Sequence, residues 1–296
     1  MPKNSVTDLL NPQDYINVEN LELIARTIVE GYLAGLHRGV LQGTGSEFVQ
    51  YRNYNKGDDL RHLDWKAYSR LNKLVLKIYQ EETNTNVNIL LDSSASMNYA
   101  GEGRMRKFDY AKITAACVSY LVQKHGDSTG LTVFSDSLKT QIEASSRRDH
   151  FYRLCLALNE IEPEGNCDYQ SMLRFISEQM KRRSLLIVIS DFLDMDPKLM
   201  KMLKFMKAAR HDIIVLHVLD DDELDFSING VKHFIDSEDA SEIITAPELV
   251  RDAYLEKMSA YLESFKSACL KNGISYQLLR NSDSFDKVFN TLSNRI

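Results

Sequence analysis

From residue 85 to the carboxyl terminus, the sequence alternates between short apolar runs and longer segments with helical spacing. The clearest run is Leu185–Ile189, a continuous apolar stretch of the kind found in strands buried on both faces of a parallel sheet. The other predicted strands are Val87–Leu91, Gly130–Phe134, Leu138–Ile142, Asp212–Leu219 and Ile274–Leu279. The predicted helices are Phe108–Lys124, Phe151–Glu160, Tyr169–Met180, Pro197–Ala209, Pro247–Lys271 and Ser284–Asn294. This alternation predicts a doubly wound, mostly parallel α/β sheet flanked by helices.

The first 84 residues follow a different pattern. Leu21–Leu36 has the spacing of a helix, and Gly39–Gly45 is a glycine-punctuated loop. Phe48–Tyr54 and Leu74–Tyr79 alternate like strands. No linker composition separates this part from the rest. We therefore expect residues 1–84 to be an N-terminal extension packed on the sheet, and residues 85–296 to form the α/β domain.

Composition narrows the class of protein. The 296 residues include 36 Lys and Arg against 42 Asp and Glu, a formal net charge of −6. This balance argues against bulk electrostatic binding of nucleic acid. No apolar stretch approaches the roughly 20 residues of a membrane helix, and Met1–Ser5 leads into no hydrophobic signal core. We expect a cytoplasmic protein.

Polar side chains follow two of the predicted strands. Asp92, Ser94 and Ser96 come directly after Val87–Leu91, and Asp191 follows Leu185–Ile189. The ligand site of a doubly wound sheet lies at the carboxyl ends of its strands. A carboxylate with hydroxyls at alternate positions offers the hard oxygen ligands that Mg²⁺ prefers. The alternative is that the two serines cap the segment that follows them.

The spacing Asp-x-Ser-x-Ser, with a later Asp, resembles the metal-ion-dependent adhesion site (MIDAS) of von Willebrand factor A domains. The resemblance implies that Ser94 and Ser96 bind the ion directly, and that Asp92 and Asp191 do so directly or through water. A carboxylate of a partner protein would complete the octahedron. In a third loop, Gly165-Asn166-Cys167-Asp168, the family has a Thr where this chain has Cys167. A thiol is a poor Mg²⁺ ligand.

Three outcomes follow from Cys167. Water fills the ligand position that the family Thr occupies, or Asp168 substitutes as a ligand, or the site binds the ion weakly or not at all. The remaining cysteines fall in helical patterns and are expected to be small buried hydrophobic residues; they are Cys117, Cys155 and Cys269.

A second group of motifs lies upstream. Glu47-Phe48, Arg52-x-Tyr54, Gly57-Asp58-Asp59-x-Arg61 and Asp64-Trp65 are similar to the motifs of a bacterial family called domain of unknown function 58. Further motifs follow in the order that the family shows: Leu224–Phe226, Phe234–Asp236, Ala253–Leu255 and Gly273–Tyr276. The similarity runs from about Gly39 to the end, with the characteristic upstream motifs in residues 39–70. It implies the short type without membrane helices, and a MoxR-type AAA+ ATPase as partner.

The segment from Arg52 to Trp65 allows several interpretations. Arg61 could pair with neighbouring carboxylates and hold the extension on the sheet. The Trp, Tyr and Arg side chains could instead form a docking face, because these residue types are enriched in interface hot spots. Cations interleaved with aromatic residues also occur in single-strand nucleic-acid binders, although Asp58, Asp59 and Asp64 interrupt this run.

Motifs of common enzymes are absent from the sequence, including the phosphate-binding loop, His-Glu-x-x-His and Gly-x-Ser-x-Gly. We therefore expect a non-enzymatic adaptor that docks a partner through the loops of Asp92 and Asp191, with Mg²⁺ as a possible cofactor. By resemblance the partner would be a MoxR-type ATPase, acting in maturation, chaperone-like handling or stress response. The alternatives are a metal-dependent hydrolase of phosphate esters, which needs a general base, and a single-stranded nucleic-acid binder.

Overall fold

The computed structural model describes residues 10–15, 20–40, 51–53, 68, 73–77, 85–180, 182–193, 197–228, 230, 232–235 and 242–292. The chain divides into two compact units, residues 35–84 and residues 1–34 with 85–296. Helix α1 is Leu21–Val40. In the smaller unit, β1 (Tyr51–Asn53) pairs antiparallel with β2 (Val75–Lys77). The motif residues Gly57 to Trp65 lie outside the described residues.

The larger unit is built around a six-stranded sheet. Its strands are β3 (Asn86–Asp92), β4 (Ser128–Phe134), β5 (Leu138–Ser145), β6 (Leu185–Ser190), β7 (Asp212–Leu219) and β10 (Ser275–Arg280). They lie in the order β10-β7-β6-β3-β4-β5. All neighbours are parallel except β4 and β5, which form an antiparallel pair at one edge. A separate antiparallel pair consists of β8 (Lys232–Ile235) and β9 (Glu242–Thr245).

Helices cover both faces of this sheet. They are α2 (Lys107–Lys124), α3 (His150–Asn159), α4 (Tyr169–Gln179), α5 (Pro197–Ala208), α6 (Asp221–Asp225), α7 (Pro247–Lys271) and α8 (Asp286–Leu292). Successive strand residues point to opposite faces. Ile89 and Leu91 of β3 therefore join one core with α1, α2, α3 and α8, while Leu90 joins another with α4, α5 and α7. The result is a three-layer α/β/α domain.

The predicted doubly wound, mostly parallel α/β sheet is confirmed. Each apolar run forms a strand, and Leu138–Ile142 lies in the antiparallel edge strand β5. Buried residues of α1 lie at helical spacing and pack in the first core, among them Ile24, Ile28 and Val29. The division at residue 84 between an extension and the α/β domain stays a prediction.

Candidate functional site

The strand order places a crevice between β3 and β6. From β3 the chain proceeds through β4 to one edge of the sheet, and from β6 it proceeds through β7 towards the other. This reversal is the topological switch point at which doubly wound sheets bind ligands, outside the carboxyl ends of the strands. Asp92 is the last residue of β3, and Asp191 directly follows β6. The topology therefore brings together the two carboxylates that the sequence singles out.

The loop after β3 is folded around the carboxylate of Asp92. The Ser94 backbone N–H donates to Asp92 Oδ1 at 2.8 Å. The hydroxyls of Ser94 and Ser96 lie 3.1 Å apart. Ser94 precedes a short 3₁₀ turn, Ala95–Asn98, but its side chain makes no capping hydrogen bond. The hydroxyl oxygens therefore face each other instead of capping the turn.

Asp92 is fully buried at the bottom of this loop. Its second oxygen, Oδ2, accepts a 2.5 Å hydrogen bond from the Ser190 hydroxyl at the end of β6. Burial raises the pKa of Asp92, and the neighbouring carboxylate of Asp191 raises it further. A cation beside these two carboxylates would relieve both effects.

Asp191 is held by the ammonium group of Lys107, a residue that no sequence motif singles out. Lys107 Nζ lies 2.8 Å from Asp191 Oδ2 and 2.6 Å from Glu223 Oε1. The Lys107 side chain is 0% exposed. Burial alone lowers the pKa of Lys107, but the carboxylates of Asp191 and Glu223 outweigh it and the pKa is raised. Lys107 is therefore a charged group inside the site.

The loop before α4 is fastened to the loop after β3. The Ala95 N–H donates to the Gly165 carbonyl at 2.8 Å, and the Glu164 N–H donates to the Ser93 carbonyl at 2.9 Å. Gly165 has a φ of +70°, and a Cβ there would meet the Asp136 carboxyl group at 3.1 Å. The positive φ therefore favours glycine here, and a larger residue would crowd Asp136.

Cys167 lies in this loop beside Asp92. The side chains of Asp92 and Tyr169 neighbour its thiol. Burial raises the pKa of the Cys167 thiol, and the carboxylate of Asp92 raises it further. The sulfur is therefore protonated and soft, which makes it unsuitable as a Mg²⁺ ligand.

Asp168 lies on the side of the loop that faces the β4–β5 hairpin. Its N–H donates to the Ser135 carbonyl at 2.8 Å, and its own carbonyl accepts from the Met172 N–H at the start of α4. The residue lines a small cavity together with Ser135 and Ser137. Its role as a metal ligand stays a prediction.

His217 is the histidine nearest to Asp191 among the residues that the structure describes. It is 0% exposed and enclosed by edge-to-face contacts with Phe192, Phe265 and Tyr276. Its Nδ1 lies 2.9 Å from the Tyr276 hydroxyl. Burial lowers the pKa of His217 to about 4. The imidazole is therefore a neutral core group.

The donor set suits Mg²⁺ in its chemistry. The groups are two carboxylates and two hydroxyls, all hard oxygen ligands. Neighbouring oxygens around an octahedral Mg²⁺ lie ~3 Å apart, which matches the 3.1 Å between the Ser94 and Ser96 hydroxyls. Among the described residues, no three His, Cys, Asp or Glu side chains could hold a metal by themselves. An ion here would therefore depend on the serine hydroxyls.

Fold and site together define a class of protein: a doubly wound α/β domain whose switch-point loops present carboxylate and hydroxyl oxygens. The model of one protein family, the protein of unknown function DUF58, matches residues 50–262. The chain belongs to this family.

Curated relatives and solved structures show further likeness. Uncharacterized proteins Mb1516 of Mycobacterium bovis and Rv1480 of Mycobacterium tuberculosis are each 28% identical over 216 residues, covering 72% of this chain and 67% of theirs. The BatB structure from Bacteroides thetaiotaomicron is 19% identical, with a TM-score of 0.47, over 71% of this chain and 98% of that one. The SpRpn10 VWA domain is 12% identical, with a TM-score of 0.42, over 70% of this chain and 95% of that one.

Among the described residues, the helices are too short or too polar to cross a bilayer.

Proposed function

We propose that this protein is a non-enzymatic adaptor that docks a partner protein at the loops after β3 and β6 and before α4. The observation that carries the proposal is that the carboxylates of Asp92 and Asp191 lie at the carboxyl ends of neighbouring strands at the switch point of the sheet, with the paired hydroxyls of Ser94 and Ser96 in the first of the two loops. These oxygens would hold Mg²⁺, and an Asp or Glu of the partner would complete its coordination. The partner proposed from the family resemblance is a MoxR-type AAA+ ATPase, in maturation, chaperone-like handling or stress response.

The groups around the site support docking over hydrolysis. A metal-dependent phosphoesterase needs a general base within reach of its substrate. His217 is enclosed by aromatic rings, and Lys107 is held by two carboxylates. Both oxygens of Asp92 accept hydrogen bonds from within the protein. None of these three groups is placed to accept a proton from a substrate.

The rim of the site also supports docking. Tyr99 is 40% exposed beyond the first loop, and Leu193 is 37% exposed two residues after Asp191. Tyrosine is among the residue types enriched in interface hot spots. A partner docked at these loops would therefore cover Tyr99 and Leu193 as well.

The test is a binding measurement with the MoxR-type ATPase of the same organism, by biolayer interferometry in Mg²⁺ and in EDTA. The site variant is Ser94→Ala with Ser96→Ala, and the matched control is Ser259→Ala with Ser267→Ala on the exposed side of α7. We expect EDTA and the site variant each to weaken binding at least about tenfold, because both remove the cation bridge. The control should bind like the wild type.

Other results would separate the parts of the proposal. If neither EDTA nor the site variant changed the affinity measured for the wild type in Mg²⁺, the metal bridge would be ruled out and the adaptor role would stand. No binding of the ATPase under any condition would remove this partner.

A further inference from the structure

The ammonium of Lys107 contacts the Asp191 carboxylate, which a bound cation would need as a ligand. It is the first residue of α2, and its side chain runs inward with no exposure to solvent. The ammonium bridges Asp191, which follows β6, and Glu223, which lies in α6 just after β7. A buried ammonium between the ends of two strands is costly unless both contacts neutralise it.

The charges in this cluster are unbalanced. The buried carboxylates of Asp92 and Asp191 and the partly buried carboxylate of Glu223 surround the ammonium of Lys107. The cluster therefore has an excess of negative charge that attracts a second cation. The most direct obstacle to that cation is Lys107 itself, because Nζ lies 2.8 Å from Asp191 Oδ2.

The contact with Glu223 offers the ammonium a second position. At 2.6 Å this contact is shorter than the one with Asp191. Lys107 could release Asp191 by a small rotation of its side chain and remain paired and buried. Glu223 is itself fixed in place, since its other oxygen accepts a 2.7 Å hydrogen bond from the Asp220 N–H in a capping box.

We propose that Lys107 is a built-in competitor of the divalent cation: it neutralises Asp191 when no cation is bound and withdraws onto Glu223 when one binds. The inference rests on the metal site of the proposed function and adds its regulation. In the metal-free protein the ammonium stays paired with the Asp191 carboxylate. This pairing lowers the affinity of the site for the cation. Docking through the cation would then respond to the free concentration of Mg²⁺.

The test measures Mn²⁺ and Mg²⁺ binding to the full chain by isothermal titration calorimetry. Lys107→Met removes the competing charge and nearly keeps the side-chain volume, and we expect it to raise the affinity at least about tenfold. Glu223→Gln weakens the second position of the ammonium, and we expect it to lower the affinity several-fold. Opposite shifts from two variants of one ion pair cannot arise from a general loss of folding.

The matched control is Lys112→Met, which removes a lysine charge from the same helix where its ammonium lies 3.5 Å from Asp109 instead. The cation affinity of this control variant should equal that of the wild type. If Lys107→Met does not fold by circular dichroism, the Glu223→Gln result decides, and an unchanged or raised affinity overturns the inference.

Two results separate this inference from the proposed function. Equal cation affinity in wild type and Lys107→Met would overturn the competition and leave the metal site in place. No binding to the wild type or to either variant at millimolar cation would remove the metal site, and the competition with it.

Discussion

At the scale of single residues, two side chains limit how strongly the loops could hold a cation, and each acts on one carboxylate. Lys107 neutralises Asp191 by direct contact. Cys167 contacts Asp92 with a thiol whose pKa is raised by burial, so the sulfur supplies no anionic ligand. A hydroxyl in place of this thiol would offer the hard oxygen that Mg²⁺ prefers.

We expect Cys167→Thr to raise the affinity for Mg²⁺ about five- to tenfold, or roughly 1 kcal/mol, because a hydroxyl is a hard ligand and a thiol is soft. The measurement is calorimetric titration of the full chain. Cys167→Val is the control, since it has the shape of threonine without the hydroxyl. A Val variant that gained as much affinity as the Thr variant would contradict the ligand explanation.

At the scale of elements, helix α7 holds the loop after β6 in place. Only three residues of α7 are buried, namely Pro247, Phe265 and Cys269. Yet the Tyr261 hydroxyl of this helix donates to the carbonyl of Phe192. Phe192 has a φ of +44°, a conformation that costs a non-glycine residue about 1–3 kcal/mol. The helix thus stabilises a strained residue adjacent to Asp191.

We expect Tyr261→Phe to lower the free energy of unfolding by about 1–2 kcal/mol, because it leaves the buried carbonyl of Phe192 without this donor. Urea denaturation followed by circular dichroism measures the change. Tyr152→Phe removes the hydroxyl of a tyrosine that is 52% exposed on α3, and it should stay within about 0.5 kcal/mol of the wild type. Equal effects of the two substitutions would argue against the role of the α7 contact.

Much of the element order could be predicted from the sequence, because the buried strands are rich in apolar residues and β6 is an almost unbroken apolar run. The place of Asp92 and Asp191 followed from the rule for carboxyl ends of strands. The contact between Lys107 and Glu223 joins residues 116 apart in the chain, and no local pattern indicates it. Helix α6 was missed because it lacks apolar periodicity, although its capping box of Asp220 and Glu223 is a readable signal.

At the scale of the whole molecule, buried titratable groups near the site act on stability with opposite signs. Burial lowers the pKa of His217 to about 4, so between pH 4 and 6.5 the folded state binds fewer protons there than the unfolded state. This group makes the protein less stable as the pH falls. Burial raises the pKa of Asp92 in the folded protein. This group therefore makes the metal-free protein less stable as the pH rises above the pKa that Asp92 has in the unfolded chain. The two contributions oppose each other in mildly acidic solution.

Replacing His217 should expose this balance. From pH 6.5 to pH 4 the histidine costs the folded wild type about 3 kcal/mol of stability, and His217→Gln should escape that loss. Chemical denaturation in EDTA at several pH values measures it as the difference between variant and wild type. His125→Gln replaces an exposed histidine at the end of α2 and should follow the wild-type profile. Parallel pH profiles for wild type and His217→Gln would contradict the assignment of His217 as a buried neutral imidazole. Removing such a group must make the stability of the protein less sensitive to acid.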